Sequence, residues 1–256
     1  MRVGIVKLGA IGSSVLIEYV LDELARRKDI ETFVISSGSK IKPEIVDEIY
    51  KFNVDIVIVC CPDASKYVKP RFKKPTIIVT NRISEEFLRG IGDNVGYIVV
   101  EPDAMIGARR EFLDPTEMCI FNSDIIKVLA ITGVIRLIQF EINRAVKEGK
   151  IPRVFVNHDV AMKFAGFKNP YAMAKAMASI FILEKVSEIT ERACFREKDS
   201  ERFTLLCASA HEMMRIAGML ADEAREIEKY GDSVLRTPHS GSGEIIEKTR
   251  LLELWK

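Results

Sequence analysis

One short segment of this chain combines a carboxylate, an apolar stretch and two adjacent cations. Its chemistry-bearing residues are, in order, Asp103, Met105, Ile106, Gly107, Arg109 and Arg110. A carboxylate can stabilise positive charge that develops during a reaction, and arginines can hold an anionic ligand. The segment therefore predicts a ligand site; the alternative is that the two arginines form a solvated pair neutralised by Glu111 or Asp114.

The segment connects a predicted strand to a predicted helix. Residues Val95–Val100 form a short apolar run typical of a buried strand. Asp114, Pro115 and Glu117 supply a helix N-cap, a first-turn proline and a capping-box acid. Open α/β sheets bind ligands at the carboxyl ends of their strands, so we expect this connection to lie beside such an edge.

A second candidate site follows the first predicted strand. Gly9 and Gly12 correspond to the last two glycines of a dinucleotide fingerprint, with Ile11 between them, but Lys7 stands where the first glycine would be. Glycines here would let the backbone approach an anionic group at a helix N-terminus. The alternative is a tight turn capped by a serine.

The end of the second predicted strand argues against ordinary NAD binding. The run Ser36, Ser37 and Gly38 has no Asp or Glu to bind the ribose hydroxyls of that cofactor. These small residues, followed by Ser39 and Lys40, suit a phosphorylated ligand of another shape.

Three further polar residues are candidate contacts for a substrate. Asn122 and Asp124 interrupt an apolar helix face close to the predicted helix start, which favours a polar pocket wall. His239 follows a proline and is presented by a turn, where a surface role is an equal alternative.

Metal and thiol chemistry have little support. The three histidines are far apart in sequence, and the His211–Arg215 stretch carries an arginine where a zinc helix needs its second histidine. Cys60 and Cys61 end a predicted strand, where packing is favoured over redox chemistry. We therefore expect no metal.

Composition excludes several classes of protein. The chain has 256 residues, 48% of them hydrophobic, with a net charge of +1, so neither nucleic acid nor an anionic membrane is an expected partner. Five scattered cysteines fit reduced thiols and a cytoplasmic setting. No secretion signal or bilayer-spanning run is recognised.

The fold class follows from the order of apolar runs. Short β-branched runs alternate with helix-like segments over the first hundred residues, which predicts a Rossmann-like, mostly parallel α/β sheet. Between Pro115 and the C-terminal segment no strand is expected, and long helices at about 116–148, 170–192 and 200–229 predict a helical bundle. A final hairpin should pair Val234-Leu235 with Ile245-Ile246. The expected parts are a cofactor domain (1–114), an oligomerisation bundle (115–231) and a hairpin extension (232–256).

Longer strings connect the sequence to a known family. They are Met105–Pro115, Asn169–Ala172, Ser209–Met213 and Asp232–His239. Together they resemble the methylenetetrahydromethanopterin dehydrogenases of archaeal one-carbon metabolism and methanogenesis, which depend on the deazaflavin coenzyme F420. The resemblance implies hydride transfer between a tetrahydromethanopterin-type substrate and F420, without metal or NAD, in a homohexamer. The chain has Ala10 where the family commonly has asparagine, and Ala104 where proline is expected.

The resemblance gives each candidate residue a role. Asp103 would stabilise the charge of the methenyl pterin cation. The expected contacts of F420 are Gly9, Ile11, Gly12, Ser36, Ser37, Gly38, Arg109 and Arg110. The expected contacts of the substrate are Met105, Ile106, Gly107, Asn122, Asp124 and His239.

Two other functions remain open on the residues alone. An NADP-dependent oxidoreductase could hold the extra phosphate with Ser36, Ser39 and Lys40. A non-catalytic oligomer that binds a phosphorylated cofactor is the other, supported by the departures at Ala10 and Ala104. Within the bundle, the small residues on several faces of the helix from Tyr171 fit either close core packing or a subunit interface.

Overall fold

The computed structural model describes residues 1–23, 27–105 and 115–247. Its centre is one parallel sheet with the strand order β2-β1-β3-β4-β5-β6. The strands are β1 (Arg2–Lys7), β2 (Glu31–Ser36), β3 (Ile56–Asp63), β4 (Thr76–Arg82), β5 (Val95–Val100) and β6 (Arg153–Val156). The predicted Rossmann-like α/β class is confirmed.

The central strands are continuous apolar runs because both of their faces are covered. Seven of the eight residues of β3 are buried, and the first five of β4 are buried as well. Parallel strands covered on both sides have this pattern. The edge strand β2 contains only exposed and half-buried residues, which is why its run is shorter and more polar.

The prediction that the strands of the parallel sheet end before Pro115 is wrong. Strand β6 lies after two helices of the C-terminal half and pairs with β5 in parallel, with Arg153 opposite Tyr97. Only Val156 of its four residues is buried, so the strand leaves almost no periodic signal. The sheet therefore takes strands from both sides of the expected boundary at residue 114.

Helices cover both faces of the sheet and extend into a bundle. In the described ranges they are α1 (Gly12–Asp22), α2 (Ile45–Glu48), α3 (Ala64–Tyr67), α4 (Glu85–Gly90), α5 (Pro115–Ile131), α6 (Val134–Glu148), α7 (His158–Ala165), α8 (Pro170–Phe195) and α9 (Ser200–Tyr230), with a 3-10 turn at Ile49–Phe52. Asn169 and Asp199 cap α8 and α9, since each side-chain oxygen accepts a first-turn N–H. The predicted cap Asp114 lies outside the described residues.

The single helix predicted at about 116–148 is two helices. Gly133 separates α5 from α6 with a φ of +91°, in the left-handed region that favours glycine. A Cβ at this position would lie 2.3 Å from the Ala161 carbonyl oxygen of α7. The close approach of α7 therefore requires the break.

One core joins the sheet to the bundle. Buried residues of β1, β3, β4 and β5 share an apolar cluster with α1, α5, α6, α8 and α9. A second cluster covers the other face with the 3-10 turn, α3 and α4. Because the first cluster is continuous, α8 has a fixed position relative to the strand ends.

The C-terminal hairpin forms, but with a different pairing. His239 bridges Ile245 in antiparallel fashion, and the Ile246 N–H donates to the Pro238 carbonyl at 2.7 Å. The predicted pairing of Val234-Leu235 with Ile245-Ile246 is therefore wrong. The carbonyl of Leu235 instead accepts from Arg136 of α6.

None of the helices in the described ranges is long and apolar enough to span a bilayer.

Candidate functional site

A cleft runs along the carboxyl ends of β3, β4, β5 and β6, against helix α8. It consists of two adjoining cavities of about 270 and 620 Å³. Both cavities are lined by Asn81 and Arg82 at the end of β4 and by Ser187 of α8. Strand ends and a packed helix thus form two compartments with a shared wall, in the place where α/β sheets bind ligands.

The smaller cavity is lined by charged groups from the sheet and from α8. Glu191 pairs with Arg82 of β4 and, at 3.1 Å, with Arg196 at the end of α8. Lys66 and Asp63 form a second pair at 2.9 Å. The Arg82–Glu191 ion pair thus connects the sheet to α8 beside the smaller cavity.

The larger cavity is more acidic. Glu101, Glu184 and Glu188 line it, and Arg82 is the cation among its lining residues. The His158 imidazole lies 2.8 Å from Glu184, and its ring packs edge-on against Phe181 at 4.7 Å between centroids. A ligand that carries positive charge would be favoured in this compartment.

The backbone of Asp103 is held from both sides of the cleft. Its carbonyl oxygen accepts a hydrogen bond from Asn81 Nδ2 and another, at 2.7 Å, from Ser187 Oγ. Met105, two residues further on, lines the smaller cavity. The predicted residues Asp103 and Met105 therefore lie under the cleft and in its wall, respectively.

The Asp103 carboxylate is completely buried, with 0% of the residue exposed. Its Oδ2 accepts from the Ser13 N–H at 2.9 Å, at the start of α1, and its Oδ1 has no hydrogen-bond partner among the described residues. Burial raises the pKa of this carboxyl to about 6, although hydrogen bonds from Ser13 and neighbouring backbone groups act in the opposite direction. Asp103 thus places a desolvated negative charge beside a helix N-terminus.

The predicted glycine loop adjoins the same region. Ile11 bridges Met105, and the Gly12 N–H donates to the Ala104 carbonyl at 3.2 Å. Gly9 has a φ of +78°, and a Cβ there would lie 3.5 Å from Pro62, which lines the smaller cavity. The loop after β1 therefore borders the cleft.

The second predicted loop lies at the carboxyl end of β2. Gly38 has a φ of +62°, and its N–H donates to Ser36 Oγ at 3.0 Å. The Ser37 N–H donates to the Lys7 carbonyl at 3.0 Å. A Cβ at Gly38 would meet no atom within 4 Å, so the turn has open space beside it.

Two of the predicted substrate contacts, Asp124 and His239, do not line the cleft. Asp124 on α5 packs against Gly218 of α9 and pairs with Lys127 at 3.3 Å. His239 is 2% exposed, and its Nδ1 lies 2.6 Å from Glu23. Neither side chain is among the residues that line the two cavities: Asp124 lies where α5 packs against α9, and His239 lies where the C-terminal segment docks against α6.

Asn122, like Asp124, lines neither cavity. Its Oδ1 is buried and lacks a hydrogen-bond partner among the described residues. The predicted residues Ile106, Gly107, Arg109 and Arg110 lie outside the described ranges.

Sequence reasoning missed most of the residues that line the cleft. The missed lining residues include Asp63, Lys66, Asn81, Arg82, His158, Glu184, Ser187 and Glu191. A signal was present for Asn81 and Arg82, which directly follow the buried run of β4 in the same way that Asp103 follows β5. The contribution of α8 had no such signal, because only packing brings that helix to the strand ends.

The described residues contain no group of three or more His, Cys, Asp and Glu side chains arranged to hold a metal ion.

Comparison with known proteins gives a consistent picture. Residues 1–256 match the family described as methylene-5,6,7,8-tetrahydromethanopterin dehydrogenase. The F420-dependent methylenetetrahydromethanopterin dehydrogenase of Archaeoglobus fulgidus is 46% identical over 98% of both chains. That of Methanocaldococcus jannaschii is 42% identical over 99% of this chain and 98% of the relative.

A solved structure is similar over the same extent. It is an F420-dependent methylene-tetrahydromethanopterin dehydrogenase in complex with methylene-tetrahydromethanopterin and coenzyme F420. The TM-score is 0.86 at 36% identity, over 98% of each chain.

Proposed function

The chain belongs to the methylene-5,6,7,8-tetrahydromethanopterin dehydrogenase family, and we infer on that premise that it is an F420-dependent oxidoreductase. It transfers a hydride reversibly between 5,10-methylenetetrahydromethanopterin and oxidised F420, giving 5,10-methenyltetrahydromethanopterin and reduced F420. The observation that carries this conclusion is the full-length similarity to relatives of that one activity, at 46% and 42% identity. The resemblance predicted from the sequence motifs is confirmed.

The cleft fits a reaction between two organic molecules. Its two compartments adjoin and share Asn81, Arg82 and Ser187, so ligands in them would meet at a common wall. The deazaflavin supplies a hydride acceptor at its C5 position. The chain's own task is then to bind, to orient and to exclude water, since alignment of two reactants can contribute about 7 to 11 kcal/mol.

We propose that Asp103 stabilises the positive charge of the methenyl product. Its carboxylate is fully buried, so it acts through its field rather than by contact. A charge in a desolvated site is felt more strongly than one in water. The carboxylates of the larger cavity act in the same direction, which supports placing the pterin there.

The remaining site hypotheses also stand as proposals. For F420 they are Gly9, Ile11, Gly12, Ser36, Ser37, Gly38, Arg109 and Arg110, and for the pterin they are Met105, Ile106, Gly107 and Asn122. The border that the loop after β1 shares with the cleft supports Gly9, Ile11 and Gly12, and the lining position of Met105 supports that residue. For Asp124 and His239 we propose packing roles instead.

Self-association into a homohexamer is a further proposal. Large apolar side chains remain exposed on the bundle of a single chain: Tyr171 is 77% exposed, Leu205 61% and Met219 52%. Such surfaces favour burial against another subunit. The cytoplasmic setting is likewise a proposal, supported by five free cysteines.

A spectroscopic assay tests the function. Purified protein is mixed with oxidised F420 and methylenetetrahydromethanopterin, and the visible absorbance of the oxidised deazaflavin is followed. We expect the band to disappear and to return when methenyl pterin is added in excess. NADP in place of F420 should give no reaction. Turnover with NADP alone, or tight F420 binding without turnover, would contradict the proposal.

A further inference from the structure

We propose that Ser187 is a positioning residue for hydride transfer. From helix α8 it holds the carbonyl of Asp103 and thereby fixes the segment Asp103–Met105 along the cleft. The inference rests on the proposed function, because hydride transfer is the activity it explains.

The hydroxyl of Ser187 makes a contact between distant parts of the chain. Its Oγ lies 2.7 Å from the carbonyl oxygen of Asp103, a residue 84 positions earlier. Asn81 donates to the same oxygen from the end of β4. The Asp103 carbonyl therefore accepts hydrogen bonds from both the sheet and the bundle. The position of the sheet relative to the bundle sets the width of the cleft.

The backbone that follows the Asp103 carbonyl is hydrogen-bonded to the loop after β1 and leads to the cavity. After the Asp103 carbonyl, the Ala104 carbonyl accepts from the Gly12 N–H at 3.2 Å, and Met105 bridges Ile11. Met105 lines the smaller cavity and Ser187 lines both. Loss of the Ser187 hydrogen bond would thus let the wall between the compartments shift.

Such a shift affects the rate more than the affinity. Hydride transfer requires the reacting atoms at about 3 to 3.5 Å, and a displacement of roughly 1 Å can cost on the order of 100-fold. Most ligand contacts are retained when one wall residue moves slightly. For Ser187→Ala we therefore expect kcat to fall by roughly tenfold, while KM for either substrate changes by less than about threefold.

The same helix supplies a matched control. Ser179 is fully buried, and its Oγ donates to the Ala176 carbonyl at 2.7 Å, a bond that stays within α8. Ser179→Ala and Ser187→Ala each remove one hydroxyl and one hydrogen bond from α8. Both should lower the unfolding midpoint to a similar extent, but only Ser187→Ala should lower kcat. Ser187→Thr restores a donor and should recover most of the rate.

The steady-state assay with both substrates distinguishes the outcomes. If the unchanged protein shows no turnover, the proposed function fails and the inference fails with it. If it turns over and the two alanine variants have equal kcat, the inference is overturned while the proposed function stands. A selective fall of kcat in Ser187→Ala with recovery in Ser187→Thr supports it.

Discussion

Asp103→Asn should change how the stability of the protein depends on pH. The carboxylate is fully buried and its Oδ1 has no hydrogen-bond partner among the described residues, so its ionised form is costly to keep in the folded state. Asparagine can still accept the Ser13 N–H but cannot ionise. The variant therefore removes the titration while it retains the hydrogen bond that joins the segment to α1.

The size of the effect follows from the pKa. Burial raises the pKa of Asp103 from 3.8 to about 6. Because the folded state binds the proton more tightly, the unfolding free energy of the unchanged protein falls as pH rises through that window and is constant above it. A shift of roughly two units at about 1.4 kcal/mol per unit corresponds to about 2 to 3 kcal/mol. The unfolding free energy of the variant, measured relative to that of the unchanged protein, should therefore increase by about 2 kcal/mol from pH 4 to pH 8.

Urea unfolding at pH 4, 5, 6 and 8 measures this difference. Asp93→Asn is the control, because the Asp93 side chain is fully exposed and its ionised form is not desolvated in the folded state. A difference between Asp103→Asn and the unchanged protein that stays constant from pH 4 to pH 8 would refute the reasoning.

The same variant tests the electrostatic proposal. With both substrates saturating, kcat of the unchanged protein should fall as pH drops through about 6, where Asp103 becomes protonated. Asp103→Asn should have a low kcat without that inflection. Unchanged turnover in the variant at pH 8 would remove Asp103 from the mechanism.

Three further predictions follow from local geometry. Gly133→Ala should destabilise the fold by more than about 2 kcal/mol in urea titration, because its Cβ would meet backbone atoms of α7, whereas Gly149→Ala, with a φ of +66° in open space, should cost only about 1 kcal/mol. His239→Ala should lower stability, since it removes a buried imidazole together with its contacts to Glu23 and Asn143, without changing KM for the pterin; a raised KM would instead indicate that His239 contacts the substrate. Cys60 and Cys61 should resist a thiol reagent until the protein unfolds, because burial raises the pKa of both thiols, and early labelling by peptide mapping would contradict this.

Most of the fold was predictable because its signals are local. Strand β3 is an unbroken apolar run, and helices α8 and α9 directly follow Asn169 and Asp199, whose side chains cap them. The misses have a common cause. Strand β6 and the break at Gly133 depend on contacts with β5 and α7, which no window of neighbouring residues contains.

The candidate site was predictable only in part for the same reason. The sequence indicated Asp103 and Met105, which lie under the cleft and in its wall, because they follow a recognisable strand. Ser187 and Glu191 were not, since a serine and a glutamate in a long helix are usually solvated. For His239 the structure contradicts the surface alternative: a turn after a proline suggested an exposed imidazole, but Glu23 and Asn143 enclose it.

The sequence by itself determined the family, the parallel sheet and the use of two organic ligands, because long motif strings and apolar periodicity are properties of the chain. Tertiary structure alone decided which groups face one another across the cleft. The Asp103 carbonyl meets Asn81 and Ser187, and its carboxylate meets Ser13, only after the sheet and α8 have packed on one core. Burial then sets the charge state of that carboxyl, since the dielectric around a group depends on its neighbours in space and not on its neighbours in sequence.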